Sequence, residues 1–313
     1  MAGDAGARLD AFLRAQLPFL SRRELEDALH EGCFTTNGRS ARKGHRLAEG
    51  DVVQFSGPSA TLSNAPIPNP RLRVPVIYED ASLLAFNKPA GMACHGFSGR
   101  DDATLTNFLL AGWPELAKVG KSRWDPGLVH RIDRATSGLV LAAKTQLIFT
   151  AMRSQFRRRI VTKKYLALVS GSSAEAGTIA LPLCHDPKDR RKMQAVTEPG
   201  QSEPKRKIWP ALTRYRKLSE KDGVSFLQLA METGVTHQLR AHLAAIGHCI
   251  VGDELYGTDV QETFGLRRHF LHASELRFMH PVTRSAVDLA APLPGELVAV
   301  LARLKIPFDL GRK

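Results

Sequence analysis

The sequence predicts an α+β protein, a large mixed and mostly antiparallel sheet preceded by a small N-terminal α+β module. Three observations predict it. Runs of β-type residues dominate from residue 75 onward. These candidate strands outnumber the candidate helices and do not alternate with them, which argues against a doubly wound parallel sheet. Finally, GPSATLSNAPIPNP at 57–70 holds four prolines and almost no charge, so it reads as a linker between a short head and a long body. The expected organisation is a head at 1–58, a linker at 59–70 and a body at 71–313.

In the head, Leu9, Phe12, Leu13 and Leu17 fit one helix face. SRRELEDALHEG then carries a helix start, with Ser21 as cap and Glu24 three residues on, and a stop at Gly32. Asn37-Gly38 is a hairpin turn, and GDVVQF is a strand. A helix pair on a small hairpin buries too little to be an enzyme by itself, so the head is a module. Its cations are Arg14, Arg22, Arg23, Arg42, Lys43 and Arg46.

In the body, VIYE, LLAFNK, GLVLAAK, RIVTKKYLALV, GTIALPL, ALTRYRKL, VSFLQLAM and SAVDLAA read as strands. Helices are expected at 145–159, where Ile148, Met152 and Phe156 recur every four residues, and at 236–246, from a Thr236 cap to Gly247 with Leu239, Leu243 and Ile246 on one stripe.

Lys+Arg number 44 against 31 Asp+Glu, a net charge of +13. That surplus favours a polyanionic partner, because neutralising phosphates releases counterions. Basic clusters at 153–164, 186–192 and 205–217, two of them with interleaved aromatics, suit a nucleic-acid backbone. Four scattered cysteines without a C-x-x-C read as reduced thiols. The opening MAGDAGARLD has neither the basic nor the apolar region of a secretory signal, and no apolar run approaches the roughly 20 residues of a membrane span. A cytoplasmic, membrane-free protein is expected, as a monomer by default.

The stretch HRIDRATSGLVLAAK, 130–144, sets Asp133 between Arg131 and Arg134 with no second acid beside it. Loop aspartates usually cap or turn, but flanking cations favour an ionised carboxylate, which can act as nucleophile or base. A kinase loop is excluded, because Ile132 interrupts H-R-D and Gly138 stands where an Asn is required; no P-loop occurs either. In ETGVTHQLRAHLAAIGHCIVGDELYG, 232–257, His237 and His242 are five apart, about 140° round a helix, so they do not share a metal-binding face. Arg240, three residues from His237, is either a snorkelling surface residue or the buried counterion of Asp133. Tyr165 in KKYLALVSG is either strand filling or a group that stacks on a base or handles a proton.

In order and spacing, NKPAGMACH (87–95), HRIDRATSGLVL (130–141), KKYLAL (163–168), ETGVTHQLRAHLAAIGHCIVGDELYG (232–257) and HFLHASELRFMHP (269–281) resemble RluA-type pseudouridine synthases over residues 71 to 296. RLDAFL, SRREL, the NG turn and GDVV in the head resemble the alpha-L RNA-binding motif, which fits members acting on large-subunit ribosomal RNA. The resemblance implies that Asp133 is the catalytic aspartate, that Arg131 fills the gap left by a flipped uridine, and that Arg240 pairs with the acid. It implies further that Tyr165 contacts the base, that Leu239 packs under it, and that His130, Arg134 and Thr136 bind substrate. Arg22, Arg23, Arg42, Lys43 and Arg46 would be the head's RNA contacts. The family usually has Arg before T-H-Q, where this chain has Val235; a supporting contact is in doubt there, while catalysis is expected to survive. No metal and no organic cofactor is expected. The rivals are a non-catalytic RNA-binding or ribosome-assembly factor, a synthase acting on tRNA, and a glycosidase, which would need a second acid near Asp133.

Overall fold

In this computed structural model the described residues are 6–18, 20, 22–58, 65–97, 99–197, 207–257 and 262–308. They form two compact units, residues 1–73 with 95–126, and residues 74–94 with 127–313.

The first unit opens with α1 (Leu9–Gln16) and α2 (Arg22–His30) on a three-stranded sheet of β1 (Phe34–Thr36), β2 (Arg39–Ser40) and β3 (Val53–Phe55). Leu9, Leu13, Leu25, Ala28, Leu29 and Phe34 make its core. Asn37 and Gly38 both take positive φ, 51° and 73°, as the predicted hairpin turn requires. Gly32 ends α2 at φ 74°. The Ser21 cap and half of the linker, residues 59–64, lie outside the described residues. The other half is anchored: Asn107 Nδ2 donates to Ile67 O at 2.7 Å, and Asn69 N to Asn107 O at 2.9 Å.

Asn107 belongs to α3 (Leu105–Gly112), a helix that the sequence pattern did not predict. A reciprocal box of Thr104 and Asn107 caps it.

The second unit is built on a nine-stranded sheet. Its strands are β4 (Val76–Glu79), β5 (Leu83–Lys88), β6 (Ser137–Ala143), β7 (Thr162–Ser170), β8 (Ala176–Ile179), β12 (Thr213–Lys221), β13 (Val224–Met231), β14 (Leu271–Met279) and β15 (Ala286–Ala290), in the order β4-β5-β6-β14-β7-β13-β12-β8, with β15 beside β14. All pairings are antiparallel except β6 with β14. This is the α+β, mostly antiparallel architecture expected. β9 (Leu183–His185), β10 (Met193–Ala195) and β11 (Ile208–Trp209) form a separate small sheet that the sequence did not reveal. Strands of two or three residues are too short to show a period.

Helix α4 (Gln146–Arg157) starts on a Thr145 cap and buries Ile148, Phe149 and Met152. α5 (Gln238–Ala245) differs from expectation at both ends. Its cap is His237 rather than Thr236, and Ile246 is 36% exposed rather than on the buried stripe. α6 (Gly295–Arg303) closes the unit on Leu297, Val300 and Leu301.

The β6–β14 junction positions the site. Ser137 and Gly138 lie opposite His272 and Ala273, immediately after the loop that carries Asp133. Gly138 sits at φ 117°, and a Cβ there would overlap the Ala273 backbone. Gly138→Ala is expected to destabilise the protein by about 3 kcal/mol or more, read as a lower urea midpoint; an unchanged midpoint would refute the close approach.

Candidate active site

Asp133 stands on the loop 130–136, whose backbone is held from several sides. Lys88 Nζ, from the end of β5, donates to Arg134 O at 3.2 Å, as well as to Pro89 O at 2.8 Å and Met92 O at 2.7 Å. Burial lowers the Lys88 pKa to about 8, the nearby Cys94 and Asp133 opposing it. Gly91 N donates to Arg134 O at 2.9 Å, and Arg134 Nε returns a bond to Gly91 O at 2.8 Å. The Cys94 thiol lies 3.4 Å from both the amide and the carbonyl of Ile132. Arg268 Nη1 donates to Ala135 O at 3.2 Å. Thr136 Oγ1 meets His269 Nε2 at 2.8 Å, and burial lowers the His269 pKa to about 4, so the pair is neutral at physiological pH. The loop is therefore a preformed mount rather than a flexible turn.

The Asp133 carboxylate meets Arg240 of α5, whose Nη1 lies 3.3 Å from Asp133 Oδ2. Arg240 is 7% exposed, which settles the choice between surface residue and buried counterion. Its main partner is an acid that nothing in the sequence singled out. Arg240 Nε donates to Asp253 Oδ2 at 2.6 Å and Nη2 to Asp253 Oδ1 at 2.7 Å, a bidentate fork. Burial alone would lower the Arg240 pKa; the bonds and charge of Asp253, with Asp133 behind them, outweigh it and raise the pKa. Burial likewise works against the Asp253 carboxylate, but Arg240 holds its pKa below the ordinary value. Asp253 also accepts the Leu255 and Tyr256 amides at 3.0 and 3.1 Å, and its side chain has no exposure. With its oxygens so occupied it is a structural anion. Gly252 before it, at φ 75°, packs where a Cβ would overlap Arg268 O. GDELYG therefore held a signal: a glycine-aspartate pair where the backbone must turn tightly. A second acid does stand near Asp133, a correction to the one-acid reading, but it faces the arginine.

The same constellation includes His237 and Tyr256. His237 Nε2 is 3.9 Å from Asp133 Oδ2, and Nδ1 is 3.2 Å from Tyr256 Oη. The Arg240 guanidinium lies 5.0 Å over the Tyr256 ring. Tyr165 of β7 is 4% exposed; burial, followed by the charge of Asp133, raises its pKa, so the hydroxyl stays protonated. Leu239 is buried on α5 beside Arg240.

Other predicted residues lie elsewhere. His130 turns away from Asp133: its Nε2 accepts Leu141 N at 3.0 Å and its ring stacks on Phe156, centroids 4.8 Å apart. Burial, with Lys163 and Arg153 nearby, lowers its pKa to about 3. These contacts make it a loop anchor. Thr136, with its hydroxyl on His269, is buried, whereas Arg131 and Arg134 are exposed beside Asp133. In the head, Arg22, Arg42 and Arg46 are exposed; Arg22 and Lys43 both reach Glu26, at 2.8 and 2.7 Å. The Arg23 side chain lies outside the described residues. Val235 packs with Trp209 and Tyr256 against a small apolar cluster of Leu183, Met193, Ala211 and Ala241. Among the described residues, no group of three or more His, Cys, Asp and Glu side chains is placed to hold a metal ion.

The site is thus a loop-mounted carboxylate against an arginine, with a buried tyrosine in electrostatic range. A family model described as RNA pseudouridylate synthase matches residues 82–245. An uncharacterized RNA pseudouridine synthase of Chloroflexus aurantiacus is 39% identical over 95% of this chain and 90% of its own length. A ribosomal large subunit pseudouridine synthase D of Xanthomonas campestris pv. campestris is 36% identical over 96% of this chain and 90% of its own. The solved structure of human RNA pseudouridylate synthase domain containing 1 superposes with a TM-score of 0.57 at 27% identity, covering 76% of this chain and 96% of that one. The chain belongs to the RNA pseudouridine synthase family, enzymes that isomerise uridine to pseudouridine in RNA.

Proposed function

We propose that the chain isomerises uridines in large-subunit ribosomal RNA, with Asp133 as its single reacting acid. The observation that carries this reading is the asymmetry of that acid. Its Oδ2 is engaged by Arg240, the neighbouring Asp253 is saturated, and the Asp133 side chain keeps 26% exposure. Isomerisation breaks the N1–C1′ bond, turns the uracil and rejoins it through C5. Hydrolysis of a glycoside calls for two carboxylates, one of them to protonate the leaving group or activate water. A departing uracil carries charge on its own oxygens and must be retained, so one open acid suffices. The ribosomal substrate is supported by the names of relatives such as that of Xanthomonas campestris pv. campestris.

Reaching a paired or stacked uridine means flipping it out, at a cost of a few kcal/mol that a side chain in the vacancy offsets. Arg131, exposed next to Asp133, takes that place in this reading. Leu239 packs under the base, and the protonated Tyr165 hydroxyl contacts it. The head resembles an alpha-L module, and Arg22, Arg42 and Arg46 offer it cations for phosphate.

Wild-type protein is expected to release tritium from large-subunit rRNA transcripts labelled with [5-³H]uridine, and Asp133→Asn to release none at unchanged RNA affinity. Turnover by the Asn variant at the wild-type rate would remove Asp133 from the chemistry. Release from tRNA alone would replace the substrate, and binding without release from any RNA would favour an assembly factor. Asp253→Asn is expected to cost about 3–5 kcal/mol, because it leaves Arg240 buried without its main partner. Thermal melting checks this, and an unchanged midpoint would show the fork to be dispensable. Replacing Arg22, Arg42 and Arg46 together by Ala is expected to weaken rRNA binding and flatten its salt dependence, by roughly 0.7–0.9 in log–log slope for each phosphate no longer neutralised. An unchanged slope would assign the head to something other than RNA.

A further inference from the structure

His237 is the residue around Asp133 to which the reaction, so read, gives no task. It caps α5 in the left-handed region, at φ 53° and ψ 18°, where a side-chain-bearing residue is uncommon. Such backbone strain, when observed, is a pointer to function. Its result here is to turn the ring toward the acid. Nε2 faces Asp133 Oδ2 at 3.9 Å, while Nδ1 faces Tyr256 Oη at 3.2 Å. His237 and Tyr256 meet edge to face, centroids 5.8 Å apart at 89°.

The hydrogen-bond chain allows the imidazole proton to sit on the nitrogen that faces the acid. Tyr256 Oη accepts Met193 N–H, from β10, at 2.7 Å. Its own proton is then available to His237 Nδ1. A neutral ring that accepts at Nδ1 carries its proton on Nε2, the nitrogen facing the carboxylate. Arg240 Nη1 lies 3.3 Å from the same Oδ2. Among the described residues, Asp133 Oδ1 has no hydrogen-bond partner.

Resting on the reading of Asp133 as the reacting acid, we propose that His237 is a positioning residue for it. Its Nε2–H is the second donor to Oδ2 beside Arg240, reserving Oδ1 for the substrate, and Tyr256 selects the tautomer that makes this work. The gap of 3.9 Å closes to hydrogen-bond length when bound RNA excludes water from the site.

The charged and titratable groups facing His237 are Asp133 and Arg131 on the loop before β6, Arg240 on α5, and Asp253 and Tyr256 on the turn after it. Burial lowers the His237 pKa below 6.5; Asp133 opposes this and Arg240 reinforces it. The neutral ring is therefore the form present at physiological pH. Protonation at acid pH makes Nδ1 a donor as well and reverses the bond with Tyr256, but leaves the Nε2–H facing Asp133 in place.

Two substitutions separate this role from a structural one. Asn tolerates the left-handed conformation, so His237→Asn keeps the backbone, but its amide reaches only the Nδ1 position. His237→Gln reaches the Nε2 position with an amide donor. Single-turnover tritium release from saturating [5-³H]uridine rRNA is expected to slow on the order of 10- to 100-fold in His237→Asn, the scale for loss of an orienting partner. His237→Gln should recover most of that rate, with RNA affinity unchanged in both. ¹⁵N spectra of the wild-type imidazole should show Nε2 protonated and Nδ1 bare. A wild-type rate in His237→Asn, equal slowing of both variants with a lowered melting temperature, or the opposite tautomer would each overturn the proposal. If wild type itself releases no tritium from any RNA, the reading of Asp133 fails first and the proposal fails with it.

Discussion

The site depends on one buried cation. Removing a guanidinium from water is costly unless its charge and its donors are met inside the protein. Arg240 meets that condition chiefly through Asp253, which takes Nε and Nη2. That leaves Nη1 for Asp133 at the longer distance of 3.3 Å. The two acids therefore have unequal claims on the cation. The saturated one sets the position of the guanidinium, and the partly exposed one keeps an oxygen without a hydrogen-bond partner among the described residues. Were Asp133 the only counterion, neutralising or alkylating it during a reaction would strand a buried charge. With Asp253 in place, Arg240 remains compensated whatever happens at Asp133.

The elements behind the pair hold it in place with neutral polar groups. Helix α5 is bound to the sheet by Gln238, whose Nε2 donates to Leu212 O and Thr213 Oγ1, both at 3.0 Å, and whose Oε1 accepts Thr233 Oγ1 at 2.7 Å. Thr213 Oγ1 also meets His242 Nδ1 at 3.0 Å, and His242 Nε2 meets Leu181 O at 2.8 Å. Because Gln238 already donates to Thr213, the threonine proton is free for His242 Nδ1, so His242 Nε2 carries the proton donated to Leu181. Burial lowers the His242 pKa, in keeping with a neutral ring. His242, a metal candidate by residue type, is a fully bonded core histidine that aligns the helix carrying Arg240. On the opposite side, Lys88, Cys94 and His269 do the same for the Asp133 loop with carbonyl, amide and hydroxyl contacts. Lys88 is the exception among these neutral supports: with a pKa of about 8 it is still mostly charged at neutral pH, and its ammonium donates to three backbone carbonyls.

Much of this was legible in the sequence where chemistry and local pattern coincide. Eight of the nine strands of the large sheet, the NG hairpin and helix α4 follow from period and turn residues, and Asp133 stood out for its flanking cations. β14, at 271–279, was not among the candidate strands; its stretch stood out only as a family-like motif. The partnership of Asp133 and Arg240, 107 positions apart, was only one of two readings until burial decided it. Asp253 and Lys88 fall inside the family-like motifs yet received no role, because a saturated anion and a lysine bound to carbonyls look, by residue type, like surface charges. His130 adjoins the Asp133 loop in sequence, yet its ring stacks on Phe156 and its Nε2 accepts Leu141 N. Adjacency along a loop says little about facing, since neither period 2 nor period 3.6 applies there.

Val235 joins sequence and structure differently. The family resemblance expects an arginine there, and the chain has instead an apolar side chain seated with Trp209 and Tyr256 at the edge of the small sheet. A cation at that position would add a third positive charge close to Arg240 and Arg131, next to the ring on which Arg240 already rests. Valine instead joins Tyr256 in packing against the apolar cluster of Leu183, Met193, Ala211 and Ala241. Among the described residues Arg240, positioned by Asp253, is the arginine in an ion pair with Asp133, and that pair does not involve position 235.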